Sequence, residues 1–295
     1  MVFPATPYIG RFAPSPTGPL HFGSLATAVA SYLDARHSGG QWLVRMEDID
    51  PPREMAGAAD LILNQLEHHG LYWDGSILFQ SKRSEAYHEA LKRLDDHGLI
   101  YRCHCSRQQL KERGGLHPRR CTYPGNPNDP HALRLSVADD SDITFIDIFQ
   151  GRQHQHIKQE VGDYVLHRKD GLFAYQLAVV VDDAHQGVTH VIRGSDLLDS
   201  TARQIYLQHI LGLAVPQYGH LPVAVDTEGN KLSKQNLAPP VERITPTLNL
   251  WTALNWLGMA PPDTLQQVTP DELLAWAIPR WDRNSVPGLI QQLAP

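Results

Sequence analysis

The segment RFAPSPTGPLHFGS, residues 11–24, is the stretch from which the fold is inferred. It follows a short apolar run, which predicts a first strand, and precedes a helical pattern in which Leu25 and Val29 share one face. In open α/β sheets such a strand-to-helix loop binds ligands, because backbone N–H groups and the helix dipole favour an anion there. We expect an α/β fold in which His21 and Gly23 lie beside a phosphate, and the alternative is an ordinary Pro/Gly turn.

Length and composition indicate a globular protein of one large or two modest domains. The chain has 295 residues, of which 42% are hydrophobic, so it can bury a substantial core. A net charge of −6 gives no global signal for nucleic-acid binding, so an RNA contact would need a local basic patch. The amino end lacks the features of a signal peptide and no apolar run reaches membrane-spanning length, so we expect a cytoplasmic protein.

Strand and helix patterns alternate after the opening loop. A strand over 41–46 followed by helices over 58–69 and 84–97 predicts a parallel sheet with right-handed crossovers. The short strand patterns over 102–165 are interpreted as an insertion, after which the apolar run 173–181 resumes the main sheet as a strand. We therefore divide the chain into a first half of the sheet domain at 1–101, the insertion at 102–165, a second half at 166–240 and a helical C-terminal region at 241–295.

A second candidate phosphate site is the segment KLSK, residues 231–234, which follows a glycine turn. Two lysines on one curled loop can converge on a polyphosphate whose charge rises at a transition state. A solvated basic loop is the alternative interpretation.

These two segments, in this order, resemble the paired signatures of class I aminoacyl-tRNA synthetases. RFAPSPTG at 11–18, RMEDID at 45–50 and KLSK at 231–234 resemble glutamyl-tRNA synthetases specifically, and the resemblance covers roughly residues 8–240. It implies a Rossmann-like class I catalytic domain that joins L-glutamate to ATP, accompanied by Mg²⁺, and gives glutamyl-adenylate and pyrophosphate. Because such chemistry depends mainly on positioning and charge stabilisation, the residues that bind the substrates are the ones to identify.

The resemblance implies an ATP site made from both signatures. His21 would hydrogen-bond a phosphate, and Gly23 would allow the nucleotide to approach the backbone closely. Lys234, together with Lys231, would stabilise the departing pyrophosphate, with Ser233 between them in the binding loop.

Glutamate needs partners for its ammonium group and for its carboxylates. The side-chain carboxylate calls for an arginine, which binds carboxylates with two parallel hydrogen bonds, and Arg11 and Arg193 are the candidates. Glu47, at a strand end, would bind the ammonium, and Tyr175 would supply a hydroxyl; taken singly, Tyr175 could be a half-buried strand aromatic and Arg193 a surface residue. The family resemblance places the glutamate contacts at Arg11, Phe12, Ala13, Pro14, Ser15, Glu47, Tyr175 and Arg193.

All three cysteines lie between 103 and 121, together with histidine. Thiolates and imidazole in a set of four suit tetrahedral structural zinc, so we predict one zinc held by Cys103, Cys105, His117 and Cys121. The Cys-x-Cys spacing is tighter than the usual Cys-x-x-Cys, and a reduced, metal-free cysteine cluster is the alternative. His104, His131 and Tyr123 stay open as other candidates for the fourth ligand.

The same segment supplies the local basic charge that RNA contact needs. Between 102 and 121 the chain has six Lys and Arg residues against Glu112 alone. A solvated loop would show the same composition.

The C-terminal region decides between the functions that the family offers. Glutamyl-tRNA synthetases continue into a helical domain that reads the anticodon, whereas this sequence runs only about 60 residues beyond Lys234, so we expect no anticodon-binding domain. Resemblance to shortened members of the family implies an enzyme that activates glutamate without tRNA and transfers it to the queuosine base in the anticodon loop of tRNA(Asp), and we expect it to be a monomer. The alternatives are a compact synthetase charging tRNA(Glu), a non-catalytic RNA-binding regulatory paralogue, and a small-molecule adenylating ligase.

Overall fold

The computed structural model describes residues 7–112, 117, 126, 129–232, 240–241 and 245–295. The strands in these ranges are β1 Ile9–Phe12, β2 Gln41–Met46, β3 Leu78–Phe79, β4 Ile100–Cys103, β5 Ala132–Leu135, β6 Asp142–Asp147, β7 Gly151–His156, β8 Val165–His167, β9 His190–Gly194, β10 Gln217–Leu221, β11 Val223–Val225 and β12 Gln291–Leu293. The α-helices are α1 Phe22–His37, α2 Ala58–His68, α3 Ser84–Asp96, α4 Arg107–Lys111, α5 Ile157–Glu160, α6 Tyr175–His185, α7 Leu198–Leu211, α8 Pro246–Trp256 and α9 Pro270–Ala277.

The central sheet has five strands in the order β10-β9-β1-β2-β3, and every neighbouring pair is parallel. Trp42, Val44 and Met46 of β2 are fully buried, and the opposite face of the strand is partly covered as well. Burial on both faces is the usual condition of a parallel sheet, because crossover helices lie on each side. The predicted α/β fold with a parallel sheet is confirmed.

The opening loop connects β1 to α1, as predicted. His21 caps α1, since its side chain accepts a hydrogen bond from the backbone N–H of Ser24. The helix buries Leu25, Val29 and Leu33 and ends before Gly39, whose φ of +64° favours glycine.

The predicted strand over 173–181 is wrong, because Tyr175–His185 forms α6. Its residues Leu177 to Val180 are all buried, and α6 packs against α3 and α7. A helix covered on most sides gives a continuous apolar run, which periodicity does not distinguish from a buried strand.

The segment from His220 to Val225 contains parts of two strands rather than one. Pro222 separates β10 from β11, because proline has no N–H to donate to a strand pairing. β11 pairs in parallel with β12, so the C-terminal region contains a strand as well as the predicted helices. The helices α8 and α9 pack into the core formed by α1 and the first two strands.

The inserted segment contributes antiparallel structure. β4, β5 and β8 form a three-stranded sheet, and β6 pairs with β7 in a hairpin. Buried residues of these strands share a second core cluster with α3, α6 and α7. The boundaries of the four predicted regions stay a prediction.

A buried aspartate attaches the C-terminal region to α1. Asp34 accepts hydrogen bonds from Tyr8, from Trp281 Nε1 at 2.9 Å and from Arg283 Nε at 2.7 Å. Burial raises the pKa of Asp34, but hydrogen bonds from Arg283, Tyr8 and Trp281 outweigh it and hold the pKa below its ordinary value. None of the helices in the described ranges is both long and apolar enough to span a bilayer.

Candidate active site

A cavity of about 580 Å³ opens at the carboxyl ends of β1 and β9, beside the amino end of α1. This is the position at which ligands bind in open α/β sheets. The structure brings eleven of the predicted site residues to its walls: Arg11, Phe12, Ala13, Pro14, Ser15, His21, Gly23, Glu47, Tyr175, Arg193 and Lys231. Ser233 and Lys234 lie outside the described residues.

The nucleotide side of the cavity is formed by the first turn of α1. His21 Nδ1 accepts a hydrogen bond from Ser24 N–H at 3.3 Å, and its Nε2 lies 3.0 Å from Ser24 Oγ. A Cβ on Gly23 would lie 3.3 Å from Ala224 Cβ and 3.4 Å from the His21 ring. Glycine therefore lets α1 begin close to β11, in addition to the predicted approach of a nucleotide.

Lys231 faces the same cavity from the loop after β11. Its Nζ lies 2.5 Å from Asp196 Oδ2, in the turn that follows β9. Sequence reasoning missed Asp196, which comes two residues after the end of β9. Its carboxylate holds the lysine on the rim of the cavity, where the predicted pyrophosphate would leave.

The glutamate side contains a buried network of two arginines and two carboxylates. Arg11 Nε donates to Asp183 Oδ1 at 3.1 Å, and Arg45 Nη1 donates to the same oxygen at 2.6 Å. Arg45 Nη2 donates to Glu47 Oε1 at 3.2 Å. Asp183 thus orients Arg11 directly and orients Glu47 through Arg45.

The two carboxylates of this network have opposite pKa shifts. Burial raises the pKa of Glu47, and the nearby charges of Arg45 and Arg11 offset only part of that effect. Burial also acts on Asp183, but its two arginines outweigh it and lower the pKa. Asp183 is therefore a fixed anion, whereas Glu47 would gain from a cationic ligand such as an ammonium group.

Arg193 is buried and has no carboxylate within ion-pair distance among the described residues. Its Nε donates to His220 Nε2 at 3.0 Å and its Nη2 to Thr201 Oγ1 at 2.8 Å. Its Nη1 lies 3.4 Å from the Tyr175 hydroxyl, on the cavity side. A buried cation held only by neutral groups is suited to an anionic ligand, since an unpaired buried charge is costly.

Sequence reasoning missed four buried residues that support these side chains: Arg45, Asp183, Asp147 and His220. Arg45 is the first residue of the motif RMEDID at 45–50, in which only Glu47 was predicted to bind substrate. Two acidic residues directly after a buried apolar run, at 182–183, were the signal for Asp183. No sequence signal identifies Asp147 or His220, which come from distant strands.

The predicted metal ligands Cys103, Cys105 and His117 come together in the structure. Their ligand atoms lie within 4.8 Å of one another, and all three residues are buried. His104 and His131 are not part of this cluster in the described ranges, and Cys121 and Tyr123 lie outside those ranges.

A hydrogen-bonded chain orients the imidazole of this cluster. The Tyr101 hydroxyl donates to Asp163 Oδ2 at 2.8 Å and lies 2.9 Å from His117 Nδ1. Because its proton is used by Asp163, the hydroxyl oxygen accepts from His117 Nδ1–H, which leaves Nε2 unprotonated. His117 Nε2 lies 3.9 Å from Cys105 Sγ, and an unprotonated Nε2 is the form that would bind a metal together with two thiolates.

A second cavity of about 670 Å³ adjoins the first and shares Ser15, Glu47, Arg53 and Tyr175 with it. Its walls carry four cationic residues: Arg53, Arg134, Arg168 and Lys169. Of the basic segment predicted from sequence, Arg102 and Lys111 are described and exposed, whereas Arg113, Arg119, Arg120 and the Arg107 side chain are not described. Three carboxylates, Glu47, Asp50 and Asp170, line the same cavity, and Arg53 and Arg168 form ion pairs with Asp50 and Asp170.

Comparison with known families agrees with this geometry. The catalytic-domain family of class I tRNA synthetases (E and Q) matches residues 9–123 and 115–274. The chain belongs to this family. It is accordingly a ligase with a class I synthetase catalytic domain, as the motifs at 11–24 and 231–234 indicated.

Relatives in this family match the chain over nearly its whole length. A protein from Ectopseudomonas mendocina (strain ymp) named glutamyl-Q tRNA(Asp) synthetase is 52% identical over 282 residues, which cover 96% of each chain. A protein of the same name from Pseudomonas aeruginosa (strain LESB58) is 50% identical over 280 residues, or 95% of each chain.

Two solved structures share the fold. The glutamate-tRNA synthetase of Elizabethkingia anophelis is 26% identical with a TM-score of 0.79, and the match covers 96% of this chain and 67% of that one. The glutamate tRNA ligase of Elizabethkingia meningosepticum CCUG26117, solved in complex with its amino acid, is 25% identical with a TM-score of 0.81, covering 98% and 67% respectively.

Proposed function

We propose that this protein activates L-glutamate with ATP in the absence of tRNA and transfers the glutamyl group to the queuosine base in the anticodon loop of tRNA(Asp). The observation that carries the first half is Arg193, a buried cation on the cavity wall held by neutral partners. The name of the relatives at about half identity supports the second half.

In the proposed activation step, an oxygen of the glutamate α-carboxylate attacks the α-phosphorus of ATP and the bond to pyrophosphate breaks. Arg193 and the Tyr175 hydroxyl bind the side-chain carboxylate of glutamate, while Glu47 binds its ammonium group. His21 contacts a phosphate at the amino end of α1, and Lys231 with Lys234 stabilises the leaving pyrophosphate. Mg²⁺ bound to ATP would neutralise part of the phosphate charge.

The second cavity is the proposed entry for the acceptor. A hydroxyl of the cyclopentenediol of queuosine attacks the glutamyl carbonyl, and AMP leaves with the electron pair of the broken anhydride bond. Arg53, Arg134 and Arg168 on the cavity walls would contact the phosphates that flank the modified base. The shared residue Glu47 brings the two cavities within reach of one bound adenylate.

Zinc is the proposed metal of the cysteine cluster, with Cys121 as the fourth ligand. Two thiols and an imidazole nitrogen in one buried group fit its preference for sulfur and nitrogen. With four protein ligands such a site keeps no open position, so its role would be structural. We also propose that the protein acts as a monomer.

Aminoacylation assays with tRNA(Asp) containing queuosine, tRNA(Asp) lacking it, and tRNA(Glu) test the acceptor. We expect stable glutamate attachment only to the first. Charging of tRNA(Glu) would indicate a compact glutamyl-tRNA synthetase. Attachment to none of the three RNAs would contradict the proposed transfer step.

Arg193→Gln tests the amino-acid site. Replacing a charged donor to a carboxylate costs about 1.5–3 kcal/mol, so the KM for glutamate in ATP–pyrophosphate exchange should rise roughly 10- to 150-fold. Arg203→Gln is a matched control, because Arg203 is a half-buried arginine of α7 that does not line the cavity. An equal effect of both variants would contradict the assignment.

A further inference from the structure

The partners of Arg193 form a buried chain that ends on the inserted hairpin. Arg193 Nε donates to His220 Nε2 at 3.0 Å, and His220 Nδ1 lies 2.5 Å from Asp147 Oδ2. Asp147 is the last residue of β6, His220 lies in β10 and Arg193 lies in β9. All three are buried, with 1%, 0% and 4% of their surface exposed.

The hydrogen bonds of this chain define the tautomer of His220. Arg193 Nε always carries its hydrogen, so His220 Nε2 must accept and be unprotonated. Nδ1 then carries the proton and donates it to the carboxylate of Asp147. Asp147 therefore selects the tautomer in which His220 can bind the arginine.

Asp147 is itself held in one orientation. Its Oδ1 accepts hydrogen bonds from the backbone N–H groups of Phe149, Gln150 and His220, each at 3.0 Å. The other oxygen, Oδ2, is thereby directed at the imidazole. Burial raises the pKa of Asp147, but the hydrogen bonds from His220 outweigh it and hold the pKa below its ordinary value.

A neutral imidazole fixes Arg193 without placing a negative charge against it. This differs from Arg11, which forms a direct ion pair with Asp183. Thr201 Oγ1 accepts from Nη2 and the Leu197 carbonyl lies 3.4 Å away, so Nε and Nη2 are committed to neutral acceptors. The remaining edge, Nη1, is the part of the guanidinium on the side of Tyr175 and the cavity.

We propose that Asp147 and His220 are positioning residues that hold Arg193 at a fixed angle, with its charge unneutralised, for a carboxylate of the amino-acid substrate. This rests on the proposed function for the identity of that substrate. Because Asp147 belongs to the β6–β7 hairpin, the inserted segment supports the amino-acid site through His220.

Asp147→Asn tests the tautomer argument with almost no change in shape. If the amide nitrogen faces His220, Nδ1 becomes an acceptor and Nε2–H is directed at Arg193 Nε–H, so two donors oppose each other. If the amide oxygen faces His220 instead, the amide nitrogen opposes three backbone N–H groups. The first arrangement displaces Arg193 directly, and the second shifts residue 147 and with it His220, so we expect the KM for glutamate to rise roughly tenfold to hundredfold while the KM for ATP is unchanged.

Two substitutions of His220 separate positioning from packing. His220→Gln keeps a hydrogen-bond acceptor near the position of Nε2, so its KM for glutamate should stay close to that of the unmodified protein. His220→Asn places its amide near Nδ1, reaches Asp147 but not Arg193, and should resemble Asp147→Asn. Equal behaviour of the two His220 variants would overturn the proposal.

A control for lost stability is Asp34→Asn, which removes a buried carboxylate from a network that does not line the cavity. It should lower the melting temperature and leave the KM for glutamate unchanged. If Asp147→Asn lowers the melting temperature in the same way with no selective effect on glutamate, the pair is structural and the proposal fails.

Histidine ¹⁵N NMR of the unmodified protein reads the tautomer directly, with His220→Gln identifying the signal. We expect protonated Nδ1 and unprotonated Nε2, and the reverse tautomer would overturn the proposal even if a variant failed to fold. Failure of the proposed function looks different: the unmodified protein would show no glutamate-dependent exchange, whatever the state of His220.

Discussion

Asp183→Asn removes the charge at the centre of the buried network while keeping its shape. In the structure one carboxylate serves both arginines, Arg11 at 3.1 Å and Arg45 at 2.6 Å, and all three side chains are no more than 4% exposed. Breaking a buried ion pair by removing one partner costs about 3–5 kcal/mol, because the other charge is left uncompensated. Glu47 still offsets part of the charge of Arg45, so we expect about 3 kcal/mol, near the lower limit.

Thermal unfolding and ATP–pyrophosphate exchange measure the two consequences of this change. A loss of about 3 kcal/mol lowers the melting temperature of a chain of this size by about 5 °C. Because Arg11 and Glu47 both lose their orientation, the KM for glutamate should rise as well. Asp96→Asn is the control, since it alters an exposed i,i+4 pair with Lys92 and should change neither quantity.

The lowered pKa of Asp183 also makes the stability of the fold depend on pH. Its folded-state pKa lies below the unfolded value, so its stabilisation is present above the unfolded pKa and is lost as pH falls through the folded one. A melting temperature for Asp183→Asn within 2 °C of the unmodified protein, together with an unchanged KM for glutamate, would refute the reasoning.

Four further predictions concern the metal, the phosphates, the C-terminal attachment and acid stability. Elemental analysis should find one zinc per chain in the unmodified protein and none in Cys103→Ser. If the unmodified protein contains no zinc, the cysteines form a metal-free packing cluster. Lys234→Ala should raise the activation free energy of adenylate formation by about 3 kcal/mol, measured as a slower exchange reaction. Unchanged exchange kinetics would show that this lysine has no part in the mechanism. Arg283→Ala should destabilise the fold by about 1–2 kcal/mol in urea unfolding, because Asp34 loses its charged donor, although partial exposure of the arginine limits the effect. Burial lowers the pKa of His69, so the unfolded state binds a proton more readily than the folded state. As the pH decreases from about 6.5, the free energy of unfolding should therefore decrease by up to about 1.4 kcal/mol per pH unit. His69→Gln should make this pH dependence weaker.

The parts of the fold that sequence predicts well are those with local signals. The stretch 11–24 contains the strand end, the turn residues and the helix cap, and α1 follows from it with the expected buried face. β2 begins and ends as predicted at 41–46, and Thr269 caps the start of α9 in the predicted helical C-terminal region. α6 was mistaken for a strand because its burial on several sides removes the helical period.

The site divides in the same way. The residues that face the cavity belong to motifs that can be recognised one segment at a time, such as Glu47 in 45–50. The residues that hold them do not: Asp183 meets Arg11 across 172 positions, and Asp147 meets His220 across 73. Such pairs depend on tertiary packing, which neither composition nor periodicity encodes.

The central claim is that the cavity beside Arg193 binds glutamate for activation by ATP, independently of RNA. Its most direct test is ATP–pyrophosphate exchange by the full chain without tRNA, with glutamate and with glutamine as substrates. We predict exchange with glutamate and little with glutamine, because an amide offers no charge to a buried guanidinium held by neutral partners. No exchange with glutamate in the absence of tRNA, or equal exchange with glutamine, would contradict the account.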